Sequence, residues 1–208
     1  MVKRYADLYL DARKALLPQE GEQAAMIARE LLCKCSGKSP EKVLADRELY
    51  ASEEIGAQME SCVARILEGE PLPYVLGEWD FCGMTLKVTR DTLIPRDDTM
   101  AVTELAIRRT MFLEQNPRVL DLCTGSGCIG LAVANRVKDA RVTLADVSPE
   151  ALAVAKENAA RFAPRVNCVR ADVLQPAPAF LKNYDLIVST PPYVTDAEML
   201  ELPHSVRD

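Results

Sequence analysis

The first chemical signal in the sequence is a short run of glycines set among carboxylates. Asp121-Leu122-Cys123-Thr124-Gly125-Ser126-Gly127-Cys128-Ile129-Gly130 stands between an apolar segment and a helical pattern. Gly125 and Gly127 let the backbone turn sharply and come close to a ligand. A helix starting after such a loop offers free N–H groups and a positive dipole end to an electron-rich group. Asp146 comes 19 residues after Gly127. At the end of a second strand, its carboxylate can accept hydrogen bonds from both ribose hydroxyls of a nucleoside. Read literally, Gly125 to Gly130 is also a G-x-G-x-x-G, the dinucleotide fingerprint, which alone is a weak signal.

Two further carboxylates shift the reading towards S-adenosylmethionine. Asp121, at the end of the first strand, can hold an ammonium group directly or through water. Asp172, in Ala171-Asp172-Val173 after the third strand, stands where an adenine amino group could donate to it. The plainer alternative is a glycine turn with unrelated acidic loop ends. Against it, the loop and the carboxylates fall together at the carboxyl ends of successive strands, the usual ligand crevice. A fourth strand then runs into Ser189-Thr190-Pro191-Pro192-Tyr193. Two prolines cannot continue a sheet ladder, so the backbone leaves the strand rigidly. That fixes the Pro191 carbonyl and the Tyr193 ring beside the expected cofactor loop. Taken alone, the two prolines also fit a mere strand terminator.

These residues need a scaffold, and the pattern from Arg118 onward supplies one. Val119–Leu122 reads as a short buried strand, Ile129–Val137 as a helix and Arg141–Ala145 as a strand. Ser148 caps a helix to about Phe162, and Val166–Val169 and Tyr184–Val188 are further strands. Such alternation predicts a parallel sheet with helices on its faces. Upstream the chain reads as helical, with helices over Tyr5–Leu16 and Glu22–Leu32 and a third starting at Ser39-Pro40-Glu41. A fourth runs from the N-cap Ser52 to Glu68, with Ile55, Met59, Cys62, Val63, Ile66 and Leu67 forming an apolar stripe. The stretch Gly69 to Tyr74 reads as a linker, and Trp79 to Val88 as two strands turning near Gly83. Asp98 or Thr99 is expected to cap a helix running through Phe112.

Composition narrows the function classes. Of 208 residues, 49% are hydrophobic and 27% charged, as in ordinary soluble domains. No apolar run reaches the length of a bilayer span, and the start lacks the apolar core of a signal peptide. The expected location is therefore cytoplasmic, with no membrane partner. Seven scattered cysteines and a single histidine, His204, suit reduced thiols rather than a disulfide framework or a structural zinc site, so no metal is expected. A net charge of −6 without a basic block argues against direct nucleic-acid binding.

The motifs together resemble the release-factor glutamine methyltransferase family. The matching residues are Gly69-Glu70-Pro71-Leu72-Pro73-Tyr74-Val75-Leu76-Gly77, Leu93-Ile94-Pro95-Arg96, Asp121 through Gly127, Asp146-Val147-Ser148-Pro149-Glu150-Ala151-Leu152, and Pro191-Pro192-Tyr193. Their order and spacing match throughout the chain. The resemblance implies an α/β fold with a Rossmann-like S-adenosylmethionine-dependent methyltransferase core, incomplete at its C-terminus, and a small N-terminal helical-bundle domain. The implied division is a bundle over 1–70 that docks the release factor, a linker and short hairpin over 71–92, and a partial core over 93–208. The implied reaction is N5-methylation of the glutamine in the Gly-Gly-Gln loop of peptide chain release factors, with S-adenosyl-L-methionine as cofactor and the release factor as protein partner. Expected cofactor contacts are Asp121, Cys123, Thr124, Gly125, Ser126, Gly127, Asp146, Asp172, Val173 and Thr190. Expected substrate contacts are Thr190, Pro191, Pro192 and Tyr193, with Thr190, Pro191 and Tyr193 closest to the reacting amide.

The resemblance also implies how the last motif works. An amide nitrogen is a poor nucleophile because its lone pair is delocalised. In the family's Asn-Pro-Pro-Tyr, the Asn side chain and the following carbonyl hold the substrate amide while the aromatic ring packs on its plane. Here Thr190 replaces that Asn, and one hydroxyl cannot offer both a carbonyl acceptor and NH2 donors. Met100 stands where the family usually has Glu. The family also continues past Asp208, through three further strands of a seven-stranded sheet, so the fourth strand is expected to be an unpaired edge. Two alternatives follow. One is a catalytically impaired or truncated cofactor- or partner-binding protein of the same family. The other is an amino-methyltransferase acting on adenine in DNA, against which the negative charge and the helical first domain count.

Overall fold

Serine caps set the helix starts in the first third of the chain. The computed structural model describes residues 2–192, and α1 (Tyr5–Glu20), α2 (Ala24–Ser36), α3 (Pro40–Ala45), α4 (Glu53–Leu67) and α5 (Leu72–Leu76) make up its first unit, which ends at Leu76. The Ser39 hydroxyl accepts from the Lys42 N–H, with Pro40 at the first helical position. The Ser52 hydroxyl likewise accepts from the Ile55 N–H at 3.3 Å. In α1, Tyr5, Leu8, Ala12 and Leu16 recur at helical spacing and are buried against Ile27, Leu31, Met59, Val63 and Ile66.

Several expectations change here, and α2 spans Ala24–Ser36 where Glu22–Leu32 was expected. Helix α1 continues past Leu16 and through Pro18 to Glu20. Pro18 lies in the last turn, where it removes only one ladder bond, and Gly21, at φ 54°, ends the helix instead. The stretch expected as a linker is partly helical, since α5 begins inside it and Pro73 falls in a first turn that tolerates proline. The first unit runs to Leu76, and the hairpin lies in the second.

The second unit begins at Gly77. Strands β1 (Glu78–Phe81) and β2 (Met84–Lys87) pair antiparallel through a two-residue turn, Cys82-Gly83, in which both residues have positive φ. Such a turn matches the natural strand twist. Helix α6 (Asp97–Met111) starts two or three residues earlier than expected, and its N-cap, Arg96, makes no side-chain cap bond. Asp97 and Asp98 instead lie in the first turn, where carboxylates complement the helix dipole.

Strands β3 (Arg118–Leu122), β4 (Arg141–Asp146), β5 (Asn167–Arg170) and β6 (Leu186–Ser189) form a parallel sheet in the order β5-β4-β3-β6. Helices α7 (Cys128–Arg136) and α8 (Pro149–Phe162) connect β3 to β4 and β4 to β5. The helix-covered core is aliphatic, with Val119, Leu131, Val133, Leu144 and Ala155 fully buried. This is the α/β alternation expected from sequence. Register does the positioning, because Leu122 lies beside Ala145 on one flank and beside Ser189 on the other, while Asp146 lies beside Arg170. The four strands therefore release their loops along one carboxyl edge. The chain winds outward from β3 through β4 to β5 and then returns to β3's other side at β6. That reversal is where open α/β sheets form a ligand crevice.

Candidate functional site

The loop after β3 is built on left-handed backbone. Cys123, Gly125 and Gly127 have φ of 59°, 54° and 85°. The Thr124 N–H donates to the Ala145 carbonyl at 3.1 Å, and the Gly127 N–H returns to the Thr124 carbonyl at 2.9 Å. A Cβ on Gly125 would meet nothing within 4 Å, so the backbone there faces open space. Gly130 is different. A Cβ there would run into the Leu144 side chain and lie 3.0 Å from Asp121 Cβ, so this glycine serves close helix–strand packing.

Asp121 lies under this loop and is fully buried. Its Oδ2 accepts from the Thr124 hydroxyl at 2.7 Å and from the Gly130 N–H at 2.8 Å. Its Oδ1 has no partner. Burial pushes its carboxyl up to about 6, against the pull of those two hydrogen bonds, and the nearby Asp146 charge adds to the rise. The Ser126 hydroxyl, on the same loop, is the other buried side-chain oxygen left unpaired among the described residues. Buried polar atoms are nearly always paired, so Asp121 Oδ1 at the end of β3 and the Ser126 hydroxyl on the loop after it are polar groups that a ligand could satisfy.

Asp146 has backbone partners of its own. Its Oδ2 accepts from the Gly125 N–H at 2.9 Å and its Oδ1 from the Ser148 N–H at 3.1 Å. The carboxylate thus clamps the loop of β3 to the start of α8. Each oxygen keeps a second lone pair for another donor. Asp172 follows β5, and its Oδ1 accepts from the Leu174 N–H at 2.9 Å in a local turn. It is partly open, and Val173 beside it is exposed. At the fourth strand, the Ser189 hydroxyl donates to the Leu122 carbonyl at 2.9 Å, joining the ends of β6 and β3. Burial is the main cause that pushes the Cys123 thiol up, opposed by a hydrogen bond with Ser189. Thr190, Pro191 and Pro192 emerge exposed from β6. Tyr193 lies outside the described residues.

The structure thus brings Asp121, Cys123, Thr124, Gly125, Ser126, Gly127, Asp146, Asp172 and Thr190 to one sheet edge through strand register. Sequence reasoning missed Asn158. It is fully buried, and its Nδ2 donates to the Ser126 carbonyl at 2.9 Å and to the Lys87 carbonyl at 3.0 Å. Its Oδ1 accepts from the Lys87 N–H at 2.7 Å. The available signal was a lone amide on the apolar stripe Ala151, Leu152, Val154, Ala155, Asn158, Ala159 of α8.

A parallel sheet with a glycine loop and three carboxylates on its carboxyl edge defines the Rossmann-like methyltransferase class. The sequence agrees, since residues 103–204 match the Methyltransferase small domain and residues 7–77 the PrmC N-terminal domain. The release factor glutamine methyltransferase of Geobacter sulfurreducens is 35% identical over 96% of this chain and 69% of its own. The corresponding proteins of Bacteroides thetaiotaomicron and Bordetella pertussis are 32% and 41% identical, over 92% and 83% of this chain. The chain belongs to the release factor glutamine methyltransferase family. It spans 66% and 62% of the length of the last two relatives.

Proposed function

We propose that this chain methylates the N5 nitrogen of the glutamine in the Gly-Gly-Gln loop of a peptide chain release factor, using S-adenosyl-L-methionine. The observation that carries the reading is the shared carboxyl edge, where the glycine loop, Asp121, Asp146, Asp172 and the Thr190-Pro191-Pro192 segment stand at the ends of neighbouring strands. The cofactor supplies an electrophilic methyl group on a sulfonium. The chain's residues supply position and polar acceptors. Asp121 Oδ1 is the acceptor left for an ammonium group, the spare lone pairs of Asp146 suit a vicinal diol, and Asp172 suits an amino group of a base. The open space over Gly125 lets the backbone approach the ligand. Pro191 holds its carbonyl rigidly beside Thr190, where it can accept from the substrate amide and leave the nitrogen lone pair directed at the methyl group. The helical unit docks the release factor in this reading, and the supporting observation is its match to the family's N-terminal domain.

Thr190 supports a second reading, in which the chain binds cofactor and partner but turns over slowly. A hydroxyl can meet only part of what an amide side chain offers to a substrate amide. Sites that hold a polar group lose several kcal/mol of transition-state stabilisation when the partner group goes. The test is methyl transfer from labelled S-adenosylmethionine to a purified release factor, with Thr190→Asn in parallel and duplex DNA as a control. The Asn variant is expected to raise kcat/KM on the order of 100-fold. Labelling of DNA instead of the release factor would overturn the first reading. Cofactor binding without turnover in either form would favour the second.

A further inference from the structure

Two thiols in the helical unit stand outside the chemistry proposed above. Cys35 lies in the last turn of α2 and Cys62 in the middle of α4. Their Sγ atoms are 3.9 Å apart, and both side chains are half-buried. A disulfide needs an S–S distance of about 2.05 Å, so side-chain rotations that close a gap of about 2 Å would join them.

The pair is chemically unequal. The Cys35 thiol donates to the Cys62 sulfur, which is the main cause holding Cys62 down at about 7. Arg65, one turn further along α4, and Lys34 add positive charge, while burial and Glu70 oppose the shift. Glu70 is itself held by Arg65, through Nε at 2.6 Å and Nη2 at 2.8 Å. Cys35 is pushed well up, chiefly by that same bond. Cys33 lies just before Lys34, and burial pushes it up as well. One thiolate with a protonated thiol at contact distance is the arrangement in which oxidation proceeds to a disulfide.

We propose that Cys35 and Cys62 form a redox-active dithiol, which a hydroperoxide converts into a disulfide tying α2 to α4. In the first step the Cys62 thiolate attacks a peroxide oxygen. An S–O bond forms, the O–O bond breaks, and the departing oxygen leaves as water or alcohol after taking a proton. Cys62 is then a sulfenic acid. In the second step Cys35 Sγ attacks the Cys62 sulfur. The S–S bond forms, the S–O bond breaks, and hydroxide leaves as water with the proton of Cys35. Two electrons have passed from the two thiols to the peroxide.

The test uses the full chain, treated with hydrogen peroxide at neutral pH, alkylated, and digested with trypsin without reduction. Cleavage after Lys34, Lys38, Arg47 and Arg65 puts Cys33, Cys35 and Cys62 on three separate peptides. The expected product links Cys35-Ser36-Gly37-Lys38 to the peptide that contains Cys62 and ends at Arg65, and dithiothreitol releases it. In the untreated chain, brief alkylation is expected to label Cys62 roughly tenfold faster than Cys33. A Cys35→Ser variant should leave a Cys62 sulfenic acid that dimedone traps. A Cys33–Cys62 link, indiscriminate pairing among the cysteines, or labelling of Cys62 no faster than Cys33 would each overturn the proposal. The mapping on the unmodified chain decides the matter whether or not the variant folds.

Discussion

Asp121 is a carboxylate in a place that disfavours charge. Burial lifts its carboxyl from 3.8 to about 6, and only Oδ2 is paired. Between those two pH values the folded chain holds more of this proton than the unfolded chain does. Its contribution to stability is therefore fully present below about pH 4 and is lost as pH rises through about 6. Asp121→Asn keeps an oxygen for the Thr124 and Gly130 donors and removes the buried charge. The variant is expected to be more stable than the parent at pH 7, by up to about 3 kcal/mol, with the gap closing below pH 4. Urea midpoints across that pH range check it, and a gap that is constant with pH would show that the charge is not the cause. The same substitution should weaken S-adenosylhomocysteine binding, because an amide does not offer an ammonium group what a carboxylate does. The two outcomes together would show stability given up for a ligand at this one residue. The sequence marked Asp121 as an ammonium partner, but it could not show that the other oxygen braces the loop from beneath.

The serine caps and the hairpin turn were legible in the sequence because their causes are local. Ser39, Ser52 and Ser148 cap helices, each accepting from an N–H three residues ahead, and Gly83 turns the hairpin. The extension of α1 through Pro18 and the helix at Leu72–Leu76 were not, because in each a proline that usually breaks helices sits where it costs one bond or none. Asn158 was illegible for a different reason, since its partner Lys87 is 71 residues away. Through this one amide, α8 holds both β2 and the glycine loop. Asn158→Ala leaves the Lys87 N–H, the Lys87 carbonyl and the Ser126 carbonyl without that partner, in a site with no exposure. The expected loss is about 3 kcal/mol in urea unfolding, with weaker cofactor binding because Ser126 belongs to the loop. A loss well under 1 kcal/mol would mean that neighbouring groups re-pair and that the amide is not the joint between these elements.

At the scale of the molecule, the residues expected to hold the cofactor and those expected to dock the release factor fall in different units. Every cofactor contact expected from sequence lies in the second unit, and the family match over residues 7–77 falls almost wholly in the first. The alternation of strand and helix already placed Asp121, Asp146, Asp172 and Thr190 at successive strand ends, but these residues are spread over 70 positions and the sequence did not give the register that brings those ends side by side. Ligand binding should expose that gathering directly. A ligand that binds only the folded state at 100 times its Kd adds about 2.7 kcal/mol of stability. With S-adenosylhomocysteine at that level, amide hydrogen exchange is expected to slow most over the loop 123–130 and at the ends of β4 and β5. These segments are far apart in sequence, so their joint protection tests the crevice itself rather than any one residue. Protection confined to the loop after β3 would leave Asp146 as a structural clamp alone and would remove Asp172 from the site. Protection at all three strand ends would make the carboxyl edge of the sheet the cofactor site, with β6 bringing Thr190 to its border.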